Sequence, residues 1–195
     1  MQTTHASRLA RVILIVALAG SVATHADTIA TFADPVSTGS NSVLFEMANS
    51  MLTGGWQNTG LNLITPINSG LYPDATFTMT PLNVDTAGHT SAGVIEFHES
   101  AANGGGLILQ ITFDQAQLFA PFGFGASMLV PNQNVQFSGP IITYPLQEQM
   151  FSFSFSNQHT TPTGYTWSAA FTSSAIPEPG SFGLLITALL AFRRR

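Results

Sequence analysis

The sequence predicts an all-β fold, an antiparallel β-sandwich or jelly-roll-like single domain, on three observations. Apolar and polar residues alternate with a period of two, most clearly where Phe151, Phe153 and Phe155 interleave with Ser152, Ser154 and Ser156. A strand sends successive side chains to opposite faces, so this run places its rings on one side and its hydroxyls on the other. Gly, Asn, Pro and Thr interrupt such runs at short intervals. No stretch of the central chain has the 3.6-residue period of an amphipathic helix, and many short strands with frequent turn signals suit sandwiches and jelly rolls.

Taken in order, residues 28–33 form a first strand that stops at Asp34-Pro35. Residues 42–48 read as a strand or one helical turn, with a loop near Gly54-Gly55-Trp56. Residues 61–67 follow, and Pro66 confines their end to an edge or a turn, because proline has no N–H for a ladder. In 75–82, Phe77 and Met79 share a face opposite Thr76, Thr78 and Thr80; in 93–98, Ile95 and Phe97 oppose Val94, Glu96 and His98. A glycine-rich turn at 103–106 leads to 107–113, completing a hairpin. Residues 121–125 read as an aromatic turn and 134–138 as a short strand. Residues 148–156 and 164–173 close the domain, the latter with Tyr165, Trp167, Ala169 and Phe171 on one side.

Both ends read as processing segments. Arg8 and Arg11 precede the apolar run 12–20, and small residues close it at Ala26 or, alternatively, Ala23. A basic flank, a short apolar run and a small-residue end make residues 1–26 a signal peptide, expected as a signal helix. The run falls short of the ~20 apolar residues that span a bilayer. Residues 27–174 then form the β domain, and 175–195 a C-terminal segment with a short hydrophobic helix.

Charge narrows the function. The chain has five Lys and Arg together, all arginine: Arg8, Arg11 and Arg193, Arg194 and Arg195. The β domain keeps nine carboxylates and no Lys or Arg, a formal charge of −9 against −5 for the whole chain. Nucleic-acid binding depends on cations that neutralise phosphates, so it is excluded as a role for this domain. Anionic membrane surfaces and nucleotide phosphates lack a basic partner for the same reason. Cysteine is absent, which removes thiol nucleophiles and thiolate metal sites.

No catalytic constellation is legible. No G-x-S-x-G elbow presents a serine, since Gly125-Ala126-Ser127-Met128 departs from that pattern. Glu96 and His98 project from one strand face and are weak candidates for a metal, with His89 or Asp85 as a further donor from a neighbouring loop. Glu46, Glu96, Glu99 and Glu148 are available as a glycosidase pair, but sequence gives no separation between them. No calcium-loop pattern occurs, and no cofactor is expected. Trp56, Trp167 and Tyr165 are candidate platforms for sugar rings, Trp56 as the exposed one and Trp167 as core.

The tail carries the sharpest signal. Pro177-Glu178-Pro179 holds an acidic side chain on an extended backbone, because each proline pushes the preceding residue to β or polyproline geometry. Residues 181–192 are apolar or small, and Arg193, Arg194 and Arg195 follow, a cluster that the positive-inside rule keeps cytoplasmic. This order resembles the PEP-CTERM sorting signal of Gram-negative, often exopolysaccharide-producing bacteria. The resemblance covers about twenty residues. It implies an exosortase, a membrane-bound processing enzyme, as partner, with transient membrane anchoring before the tail is removed. It implies no activity for the β domain. The expectation is therefore a non-enzymatic exported protein of the cell envelope, surface or extracellular matrix, with extracellular polysaccharide as a candidate partner. A carbohydrate- or calcium-binding lectin-like module is the alternative, and a polysaccharide hydrolase the third reading.

Overall fold

Period-two patterning over short runs leaves the backbone only one regular option, and the described residues take it: the protein is an antiparallel all-β structure. The computed structural model describes residues 25–35 and 43–178. In chain order the strands are β1 (Asp27–Phe32), β2 (Phe45–Ala48), β3 (Met51–Trp56), β4 (Leu63–Thr65), β5 (Gly70–Tyr72), β6 (Thr76–Met79) and β7 (Leu82–Asn83). They continue as β8 (Gly93–His98), β9 (Leu107–Phe113), β10 (Gln117–Phe119), β11 (Gly123–Ser127), β12 (Gln136–Ser138), β13 (Leu146–Thr161) and β14 (Gly164–Pro177). The only helical turns among these residues are 3-10 turns at Pro66–Asn68 and Ala101–Asn103. One compact unit spans Ala26–Ile176.

The strands form one hydrogen-bonded network of fourteen, in the order β10-β11-β13-β14-β2-β3-β6-β8-β9-β12. Off this path β1 pairs with β14 and β4, β4 with β5, and β7 with β3. The pivot is β3. Its first residues pair with β2, Ala48 opposite Met51 and Phe45 opposite Gly54. Its last two turn to β6, Gly55 opposite Thr78 and Trp56 opposite Phe77. Glycine is required at the changeover, since a Cβ on Gly54 would come 2.5 Å from a Phe45 ring carbon.

Phenylalanine fills the space inside. Phe153 of β13 meets Phe171 of β14 at 4.7 Å and Phe45 of β2 at 4.8 Å between ring centroids. Rings from the other side of the pivot join them: Phe77 of β6 lies 5.9 Å from Phe153, and Phe97 of β8 lies 4.9 Å from Phe171. Phe32 of β1 touches both groups, at 5.5 Å from Phe171 and 6.1 Å from Phe77. Such pairs add about 0.5–1.5 kcal/mol each beyond the burial of their area.

Several expectations need correction. The stretch Gly54-Gly55-Trp56 is strand, not loop, because its glycines let the backbone change partner. Residues 123–125 of the expected aromatic turn belong to strand β11, and the turn lies instead at residues 119–122, closed by the Phe122 N–H donating to Phe119 O. Residues 45–48 resolve as strand rather than helical turn. The last two strands outrun their expected limits: β14 continues past residue 173 to Pro177, with buried Ala175 opposite Asp27. The expected polar side of β14 is also partly internal. Ser168 is 2 % exposed and donates to Asp34 Oδ2 at 2.8 Å; on the apolar side, along with Phe171, Ser173 is 1 % exposed. Ser173 Oγ accepts from Ala30 N–H and donates to Ala30 O, both at 3.1 Å, where the β1–β14 register slips. The signal helix and the hydrophobic C-terminal helix lie outside the described residues. Among the described residues no helix is long and apolar enough to cross a membrane.

Two outcomes follow from this packing. Phe153→Ala should lower unfolding stability by about 3–5 kcal/mol in urea titration, whereas the outward neighbour Ser154→Ala should change it by less than ~0.5 kcal/mol. Equal effects would refute the assigned faces. Ser173→Ala leaves the Ala30 peptide groups without their side-chain partner and should cost about 1–3 kcal/mol, read in the same titration.

Candidate functional site

The outward side of β10, β11 and β13 is unlike the rest of the sheet. Register places Phe119 opposite Gly123 and Gln117 opposite Gly125 on one side of β11. On its other side Gly123 faces Ser154, Gly125 faces Ser152 and Ser127 faces Met150. The alternate residues, Phe124, Ala126, Phe151 and Phe153, are all buried in the core. The outward row on β11 therefore has no side chain at the first two of its three positions. Glycine is demanded there by the close approach of β13: a Cβ on Gly125 would come 2.5 Å from Phe151 O.

The result is an open groove of about 510 Å³, within the size range of small-molecule sites. Phe119 and Phe122 stand at one end, 64 % and 77 % exposed. Val130 stands at the other, in a turn with exposed Met128 and Leu129. The polar groups between them are amides and hydroxyls. Gln117 Nε2 is held by Ala87 O at 3.0 Å and Leu118 O at 3.3 Å, which leaves its Oε1 as a free acceptor among the described residues. Gln133 is 5 % exposed and accepts the Ser127 N–H at 2.6 Å through Oε1, while its Nε2 has no partner among the described residues. Ser152 and Ser154 are exposed beside the glycine floor. No residue lining the groove is charged.

The residues singled out from sequence sit elsewhere. Glu96 and His98 are neighbours on β8, with His98 Nε2 3.4 Å from Glu96 Oε2. Their other polar atoms are occupied: Gln110 Nε2 donates to Glu96 Oε1 at 2.7 Å, and His98 Nδ1 lies 3.2 Å from Gly105 O. No cluster of three or more His, Asp or Glu suited to a metal exists among the described residues. His89 and Asp85 do not join Glu96 and His98. They pair with each other at 3.2 Å in the turn after β7. The His89 N–H, above all, holds the Asp85 carboxyl below its ordinary value of 3.8; desolvation opposes this, and the His89 ring and the Ala87 N–H add to the lowering.

Trp56, expected to be exposed, is 2 % exposed, and its Nε1 has no partner among the described residues. Trp167 is core as expected, stacked 4.8 Å from Phe155, while Tyr165 is 42 % exposed. Of the sorting residues, Pro177 ends β14 and Glu178 is exposed beyond it. Ala26 is exposed immediately before β1. Pro179, Arg193, Arg194 and Arg195 lie outside the described residues. The groove was missed because 121–125 read as a turn. The signal that could have exposed it was Gly-Phe-Gly-Ala-Ser itself, a period-two run with glycine on one face. Compared with family profiles, curated proteins and solved structures, the chain matches none.

The Asp85 turn yields a pH signature. A depressed folded-state value means stability that is present above the ordinary 3.8 and is lost as pH falls through the lower folded value. The difference in urea midpoint between the protein and its Asp85→Asn variant should therefore be constant above 3.8 and shrink as pH falls from there through the lower folded value. A difference that grew on acidification would contradict the Asp85–His89 geometry.

Proposed function

We propose that the chain is an exported, non-enzymatic protein of the cell surface or extracellular matrix, sorted by its tail and then released from it. The observation that carries this reading is the order Pro177-Glu178-Pro179, apolar run, Arg193-Arg194-Arg195, set against a signal-like N-terminus. The reading takes Ala26 as the residue before the first cut and an exosortase-type membrane enzyme as the partner at the second. Two features of the β unit support it. Asp27 opens β1 directly after exposed Ala26, and Glu178 is exposed directly after β14. Cuts at these points would leave the pairing of Asp27 with Ala175 intact.

The proposal includes a finer view of the fold, with the fourteen-stranded sheet doubled over into a jelly-roll-like β-sandwich. The ring contacts of Phe77 and Phe97 with Phe153 and Phe171, across the β3 changeover, support that view. A sandwich of this kind keeps its core without disulfides and offers an outer face of Ser and Thr.

Expression of the full chain and of a form ending at residue 176, in a host with and without exosortase, tests the sorting claim. The full chain should lose mass at both ends and leave the membrane only when the enzyme is present, and the shortened form should be released in either host. Identical mass and location for the full chain in both hosts would sink the proposal.

A further inference from the structure

The geometry points to the β10–β11–β13 groove as a binding site for an uncharged polysaccharide chain. The inference deepens the matrix reading above by naming the partner; it rests on that reading only for where the ligand is met, not for the chemistry of the groove.

Three properties of the groove select this ligand class. The first is its size. Three strands about 4.8 Å apart and a five-residue β11 at ~3.3 Å per residue give a floor of roughly 10 by 16 Å. That is far below the ~800 Å² per partner of a standard protein interface, yet it is elongated enough for a short stretch of linear polymer. The second is its polarity. Free hydroxyls at Ser152 and Ser154, the Gln117 acceptor and the Gln133 Nε2 donor supply both hydrogen-bonding senses along an otherwise apolar trough. Sugar hydroxyls both donate and accept, and match such a mixture; an apolar peptide side chain would leave these groups unpaired. Gln133 contributes to the groove lining, and only its Oε1 is committed, to the Ser127 N–H.

The third property is the pair of exposed rings. Phe119 and Phe122 flank the turn between β10 and β11, at the end of the glycine floor. Aromatic faces accept the C–H-rich faces of pyranose rings, and a floor without side chains lets a flat ring approach the backbone. Charge then divides the polysaccharides. No cation lines the groove, and the described residues contain no Lys or Arg, so a uronate or sulfated chain would meet only repulsion from the acidic domain. A neutral chain meets none.

Native affinity electrophoresis of the purified full-length chain tests this, with hydroxyethylcellulose, dextran, pullulan or galactomannan in the gel and alginate as the anionic comparison. Retardation is expected in at least one neutral gel and not in alginate. Phe122→Ala, at a largely exposed position, should weaken the interaction roughly tenfold. Ser152→Tyr, which fills the trough from its exposed wall, should abolish it. Circular dichroism of both variants checks that they fold. The form ending at residue 176 should bind as the full chain does, so a failure of sorting and a failure of binding remain distinguishable. Absence of retardation in every neutral gel would overturn the assignment, as would equal retardation of the folded variants or equal binding to alginate. Concentration-dependent dimerisation abolished by the same substitutions would also overturn it, by making the groove a contact between copies.

Discussion

The rest of the structure depends on the phenylalanine layer around Phe153. That ring packs against Phe171 and Phe45 from adjoining strands and against Phe77 from beyond the β3 pivot. Large rings interdigitate only if the strands that carry them hold a fixed register, because a slip of one residue would turn every ring outward. The register so imposed also determines the exterior. With Phe124 and Phe153 held inside, Gly123, Gly125, Ser152 and Ser154 must face out together, and the groove is the reverse side of the core.

A second constraint is the absence of lysine and arginine from the described residues. Carboxylates there have no strong cationic partner, and several take hydroxyls, amides or peptide N–H groups instead, while Asp34 Oδ1 is buried with no partner among the described residues. Asp34 Oδ2 receives Ser168 Oγ at 2.8 Å and Ser156 Oγ at 3.2 Å, linking the end of β1 to β13 and β14. Buried glutamines close gaps in the ladders in the same manner: Gln149 Oε1 accepts from the Phe137 N–H at 2.5 Å, and its Nε2 donates to Leu146 O at 3.2 Å. Gln149 falls on the buried face of β13 with Phe151 and Phe153 by strand alternation. Hydrogen bonds from uncharged donors are directional and less sensitive to salt than ion pairs, which suits a surface that carries negative charge without compensation.

Legibility in the sequence varied with how local the determinant was. The alternating runs of β8, β9 and β13 were plain, since a period of two is a property of neighbouring residues. The short strands β5 and β10 were not, because three residues carry too little pattern and form only where a partner strand offers its edge. Trp56 was misread for a related reason: glycines usually mark loops, and only the pairing with Phe77 shows that these two serve a change of partner inside a sheet. The candidate metal residues Glu96 and His98 do share a face, but the atoms that occupy them come from Gln110 and Gly105, distant enough in sequence to be invisible beforehand.

By itself the sequence determined the antiparallel β class, the inward phenylalanines, the lack of cations in the domain, and the tripartite tail. Each is written in composition or in spacing of a few residues. Only the tertiary structure decided which strands adjoin, that β11 is a strand at all, and that its glycines lie between the serines of β13 and the ring of Phe119. Cross-strand pairing joins β11 to well-separated positions of β13 through backbone hydrogen bonds, to which every side chain except proline is indifferent, so the glycine pattern of 123–127 can mark a strand face without naming the strand beside it.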